Sequence, residues 1–172
     1  ALSGVFDIKL RKGNDEKREY SLQAGVLGLN AAMEGPFSKK YKGSYLINYR
    51  YSTLTLLNKV GVLPDDNVTN FQDLSFNIYL PTKKAGNFSV FGFGGLSDQY
   101  YDPGKDSSKW ETRRDRYLAD FVSNTGMAGI THSLLVGKNL KINSAVGVSG
   151  TRISYDEDFT EDDLSLRKTY FE

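Results

Sequence analysis

The chain has 172 residues, 22 Lys plus Arg against 21 Asp plus Glu for a net charge of +1, a single His and no Cys. Without cysteine there is no disulfide framework, thiolate zinc site or cysteine nucleophile, and a lone His132 supplies no histidine-based metal cluster. The near-zero charge removes the broad electrostatic case for nucleic acid as a partner.

Hydrophobic residues make up 39% of the chain and aromatics 13%, so Tyr and Phe carry much of the apolar surface. The longest apolar run, glycines included, is Val90 to Leu96. That is far short of the ~18 residues of a membrane-spanning helix. The chain opens at Ala1 with no initiator methionine and no signal-peptide pattern, and reads as a mature or excised piece.

In chain order the dominant signal is a period of two, which places successive side chains on opposite faces of a strand. Tyr20 to Phe37 alternates, but its parity breaks: Leu22, Ala24 and Val26 are even, whereas Leu27, Leu29, Ala31 and Met33 are odd. A tight hairpin near Leu27-Gly28 accounts for the change and splits the stretch into two strands. Ser44 to Thr53 sets Tyr45, Ile47, Tyr49 and Tyr51 against Ser44, Asn48, Arg50 and Ser52. Asp73 to Leu80 sets Leu74, Phe76, Ile78 and Leu80 against Asp73, Ser75 and Asn77. Asn87 to Leu96 and Tyr117 to Val136 follow as strands. Leu140 to Thr151 sets Leu140, Ile142, Val146 and Val148 against Lys141, Asn143, Ser149 and Thr151, and Leu164 to Phe171 completes a set of eight.

The connections alternate in length. Ser38 to Gly43, Pro81 to Gly86 and Gly137 to Asn139 are short; Leu54 to Gln72, Ser97 to Arg116 and Arg152 to Asp163 are long and polar. Short turns at one end and long loops at the other describe an antiparallel up-and-down meander, the asymmetry of outer-membrane barrels. Several runs exceed the ~9 to 11 residues a tilted strand needs to cross a bilayer. Tyr117 to Val136 would project past it on the loop side. Phe37, Tyr41, Tyr45, Phe88, Tyr117 and Tyr155 near strand ends are expected to form interface girdles. The same alternation is shared by soluble β-sandwiches, so an adhesin or carbohydrate-binding module stays open as the alternative.

Three motifs then carry a resemblance. Ser3 to Asn14 holds Gly4, Val5, Phe6, Ile8 and Lys9; the first hairpin ends in Glu34, Gly35 and Pro36; and Arg50 lies between Tyr49 and Tyr51 in the next strand. In this order the segment from residue 1 to about 55 resembles the plug-to-barrel junction of TonB-dependent outer-membrane receptors, closest to the group found in Bacteroidetes-type bacteria. The rest of the chain matches by strand rhythm alone.

The resemblance implies that residues 1–16 are the last plug strand and linker, and that 17–172 are roughly the first eight strands of a barrel of about 22. It implies a fragment of a nutrient importer in the outer membrane of a Gram-negative cell, taking a siderophore, vitamin or glycan without catalysis. Its partners would be outer-membrane lipid, TonB through a segment outside this chain, and a surface lipoprotein. A complete eight-stranded barrel is the alternative architecture. No nucleic acid, metal or cofactor is expected.

Among chemistry-bearing groups, the run Asp156, Glu157, Asp158, Glu161, Asp162 and Asp163 lacks the order of an EF-hand and reads as a solvated loop. Gly92-Phe93-Gly94-Gly95 is not followed by Lys-Ser or Lys-Thr, so it is no phosphate loop. The stretch Ser97 to Arg116 gathers Tyr100, Tyr101, Trp110, Arg113 and Arg114, rings beside charges that suit ligand contact by stacking and hydrogen bonding. Asn48, Arg50, Asn77, Lys141 and Asn143 are expected to face the lumen and the plug.

Overall fold

A computed structural model describes residues 10–62, 69–102, 108, 110–161 and 166–169. Its eight strands are β1 (Glu19–Gly25), β2 (Gly28–Ser38), β3 (Tyr41–Ser52), β4 (Thr69–Pro81), β5 (Asn87–Tyr101), β6 (Tyr117–Val136), β7 (Leu140–Thr160) and β8 (Leu166–Thr169). They lie in one antiparallel sheet in chain order, each paired with its sequence neighbours, which is the expected up-and-down meander. No pairing joins β1 to β8 among the described residues, so the sheet is open. One short helix, Leu54–Lys59, and a 3-10 turn at Arg113–Arg116 sit in the long connections. No helix among the described residues is long and apolar enough to cross a membrane.

The early parity break is a two-residue turn: Gly25 pairs with Gly28 around Val26-Leu27. Pro36, which has no N–H to give a ladder, sits at a register shift between Pro36 and Ser38. The turn between β4 and β5 is closed by Thr82, whose N–H and hydroxyl donate to Gly86 O at 2.9 and 2.7 Å. His132 Nε2 binds Ala85 O at 2.6 Å and its ring stacks on Phe88 at 4.4 Å, which ties β6 to the turn.

All three expected long loops are partly strand, β4 beginning at Thr69 within the first of them. β5 runs on to Tyr101 and β7 to Thr160, so Asp156, Glu157 and Asp158 stand in a strand instead of the expected solvated loop. At the end of β7 the run Asp156 to Asp158 reads as a charge cluster, although Tyr155, Glu157 and Phe159 share one face and Ser154, Asp156 and Asp158 the other. Asp162 and Asp163, like the motif residues Gly4 to Lys9, lie outside the described residues.

Paired residues share a face, so the registers sort the side chains into two sets. One face carries Tyr20 and Leu22; Leu29 and Met33; Tyr45, Ile47 and Tyr49; and Leu74, Phe76 and Ile78. It continues through Phe88, Val90 and Leu96 to Ile130, Leu134, Ile142, Val146 and Val148. From Val136 back to Gly126 on β6, and from Leu140 to Gly150 on β7, this face holds no Asp, Glu, Lys or Arg. The opposite face carries Glu34, Asn48, Arg50, Asp73, Asn77, Thr125, Lys141 and Asn143.

The apolar set does not form a core. Ala119 is the one buried hydrophobic residue among those described, while Leu22 is 80% and Val146 78% exposed. A sheet one layer thick has nothing to bury its apolar face against, whereas soluble domains pack two or more layers around a core.

Candidate functional site

The polar face is where the functional side chains converge. Leu10 to Arg18, ahead of β1, packs onto it across β2 to β4. Gly13 runs so close to β3 that a Cβ there would collide with Tyr45 O. Arg11 reaches Glu34 of β2 with two hydrogen bonds, Nη1 to Oε2 at 2.7 Å and Nη2 to Oε1 at 2.6 Å. The Asn14 N–H donates to the same carboxylate at 2.7 Å, and Asn77 Nδ2 of β4 donates to Arg11 O at 2.9 Å. Asn14 Oδ1 accepts from the N–H groups of Glu16 and Lys17, which turns the segment into β1. The hydrogen bond to Glu34 raises the Arg11 guanidinium above its ordinary value, against a smaller opposing effect of burial. Lys17 is likewise raised by its contact with Glu19, 2.8 Å away.

Further toward the loop end, Arg50 donates to Asp73 at 2.7 Å and lies over the Phe71 ring at 5.0 Å. Asn48, Arg50 and Asp73 line a shallow recess of about 370 Å³ with Phe93 and Thr125. Buried side-chain oxygens of Asn30, Ser44, Asn48 and Asn77, all on this face, have no hydrogen-bond partner among the described residues.

All five lumen candidates, Asn48, Arg50, Asn77, Lys141 and Asn143, share the polar face. The loop candidates are not brought together. Tyr100 pairs with Asp120 and belongs to the apolar side, whereas Tyr101 pairs with Ala119 on the polar side. Trp110 lies under the Arg116 guanidinium at 5.4 Å. The side chains of Arg113 and Arg114 lie outside what is described.

Of the residues expected at strand ends as girdles, Phe37, Tyr41, Tyr45 and Phe88 lie at the short-turn end. Phe37 and Tyr45 approach to 5.7 Å at the short-turn end, and Phe88 stands there on the apolar face. Tyr117 and Tyr155 do not join a girdle, because their register places them on the polar face at the loop end.

What they build instead is a cavity of about 740 Å³. Its lining comes in rows set by the registers: Gln99, Phe121 and Tyr155 in one, and Tyr101, Ala119 and Glu157 in the next. Tyr117, paired with Phe159, closes it in the third row, the two rings meeting edge-on at 5.3 Å. Ala119, 3% exposed, is the small residue at the centre. Tyr155 OH donates to Glu157 Oε2 at 2.6 Å, which fixes the carboxylate among the rings. Of the ligand candidates read from sequence, Tyr101 alone among those described lies here, and the rest of the site was missed because its groups come from three strands. The legible signal was the pair Tyr117 and Phe121 at even spacing, mirrored by Tyr155, Glu157 and Phe159.

No group of three or more His, Cys, Asp or Glu suited to a metal ion is present among the described residues. No family model, curated protein or solved structure matches the chain.

Proposed function

We propose that this sheet is part of the wall of an outer-membrane β-barrel, with lipid on its apolar face and an aqueous interior on its polar face. The observation that carries the reading is the height of the uncharged apolar band. On β6 and β7 it runs from Val136 to Gly126 and from Leu140 to Gly150. At ~3.3 Å per residue and a tilt of about 40°, such a stretch stands about 25 Å tall, the height of the lipid-facing band of outer-membrane barrels. Asn124 and Arg152 end it at one level. Phe88, the turn-side end of the band on β5, pairs with His132, and β6 carries the band on past it to Val136. Tilted strands closing a barrel are staggered in this way.

The finer reading is a TonB-dependent transporter that imports a nutrient by binding and passage, without catalysis. Leu10 to Arg18, held on the polar face by Glu34 and Asn77, takes the place of a chain entering from a plug. The unpartnered acceptors of Asn30, Asn48 and Asn77 suit docking against such a plug. In that reading outer-membrane lipid covers the band, and TonB engages the parent protein from the inner side.

The test is detergent dependence. The chain is expected to be monodisperse and folded in micelles or vesicles and to aggregate in plain buffer. A monodisperse, folded chain in plain buffer overturns the membrane reading. At the transporter level, the encoding reading frame should hold a plug upstream and about fourteen further strands downstream; their absence overturns that part.

A further inference from the structure

We propose that the cavity around Ala119 is a binding site for a ligand carrying an ammonium group. The inference rests on the polar face being an interior open at the loop end. Four rings, those of Tyr101, Tyr117, Phe121 and Tyr155, border the cavity from three strands. Ring faces are negative and attract a cation placed within about 6 Å of a ring centre, most strongly for quaternary ammonium groups held in an aromatic cage. Glu157 lines the same cavity, and the Tyr155 hydroxyl bonds only one of its two oxygens among the described residues. The second oxygen is an acceptor for a cation. Gln99 adds an amide at the rim.

The one charged residue among those described in the cavity lining, Glu157, points the same way. Of the acids on the strand ends that form and flank the cavity, Glu157 shares its face, while Asp98, Asp120, Asp156 and Asp158 belong, like Arg152, to the other side of the sheet, and β8 pairs Arg167 with Phe159 and Lys168 with Asp158. The nearby Arg116 guanidinium is turned onto Trp110. No Lys or Arg lines the cavity among the described residues. An anionic ligand would meet the Glu157 carboxylate. A neutral sugar would stack on the rings but gain nothing from the charge. The volume of about 740 Å³ leaves room for an apolar or flat body beside the ammonium group.

The experiment titrates the full chain, refolded in polyoxyethylene micelles that carry no choline or sugar headgroup, with choline. Its neutral isostere 3,3-dimethyl-1-butanol, maltose and benzoate are titrated in parallel by saturation-transfer NMR. Choline is expected to bind at least about tenfold more tightly than the isostere, since a desolvated cation–π contact with a carboxylate nearby is worth that much. Glu157→Gln and Phe121→Leu should each weaken choline about fivefold to tenfold, with far-UV circular dichroism unchanged. Raising the salt should weaken it further. Equal binding of choline and the isostere, or binding of maltose or benzoate without choline, overturns the proposal; the ligand comparison on the parent chain stands even if a variant misfolds. Should the chain prove monodisperse in plain buffer, the same titration runs there. The membrane reading would then fail while the cavity is judged separately.

Discussion

Val146 offers the sharpest test of what the apolar face meets. It is 78% exposed on β7 and paired with Ile130. It lies one residue from the middle of the uncharged stretch Leu140 to Gly150, which at ~3.3 Å per residue puts it within about 3 Å of mid-height. In water, Val146→Arg at so exposed a position changes stability by no more than about 0.5 kcal/mol. In a bilayer, Arg at the midplane of the lipid face costs about 2 to 4 kcal/mol. With a urea slope of about 1 to 3 kcal/mol per molar, the midpoint falls by about 1 M or more. The control is the next residue: Ala145 faces the polar side, so Ala145→Arg should move the midpoint by less than a quarter of that shift. The assay is urea unfolding of the chain refolded into vesicles, read by the fluorescence of Trp110 and by circular dichroism. Equal shifts for the two arginines would refute the assignment of faces to lipid and water.

Two further changes probe the polar face and a turn. Glu34→Gln removes the charge that Arg11 and the Asn14 N–H share, so Leu10 to Arg18 should detach: tryptic cleavage at Arg11 and Lys12 should speed up several-fold and stability fall by about 1 kcal/mol. An unchanged cleavage rate would show that the segment is held by other means. Gly137 has φ of 64° and open space within 4 Å of where a Cβ would stand. Gly137→Val should therefore cost about 1 to 2 kcal/mol through the backbone alone, and Gly137→Asn clearly less, measured by the same urea midpoint.

Much of the fold is legible in the order of the residues. Period-two alternation marks β1 to β4 and much of β7, and Tyr117 to Val136 matches β6 at both ends because the stretch is bounded by the polar loop before it and Gly137 after it. The parity break at Leu27-Gly28 marks the first turn, since a register change must flip side chains from one face to the other. The ends of β5 and β7 are not legible. Asp98, Gln99, Asp156, Glu157 and Asp158 look like loop in sequence, and only backbone pairing with β6 makes them strand.

The five lumen candidates can be placed on one side of their own strands from alternation alone. That those sides form a single face requires the registers, because β1 with β2 and β3 with β4 pair odd with even positions while the other neighbours pair like with like. The same limit explains the split of Tyr100 and Tyr101. Adjacent residues in a loop can serve one ligand, but adjacent residues in a strand point to opposite faces.

By itself, then, the sequence determined the strand class, the antiparallel order and the two-sided chemistry of each strand, since these depend on neighbours two residues apart. Only the tertiary structure decided which strand faces add up to a continuous apolar band, that Leu10 to Arg18 lies across the polar side, and that rings from β5, β6 and β7 surround Ala119 with Glu157. Those features depend on pairings between residues far apart in the chain, and a one-residue slip in any register would dissolve them.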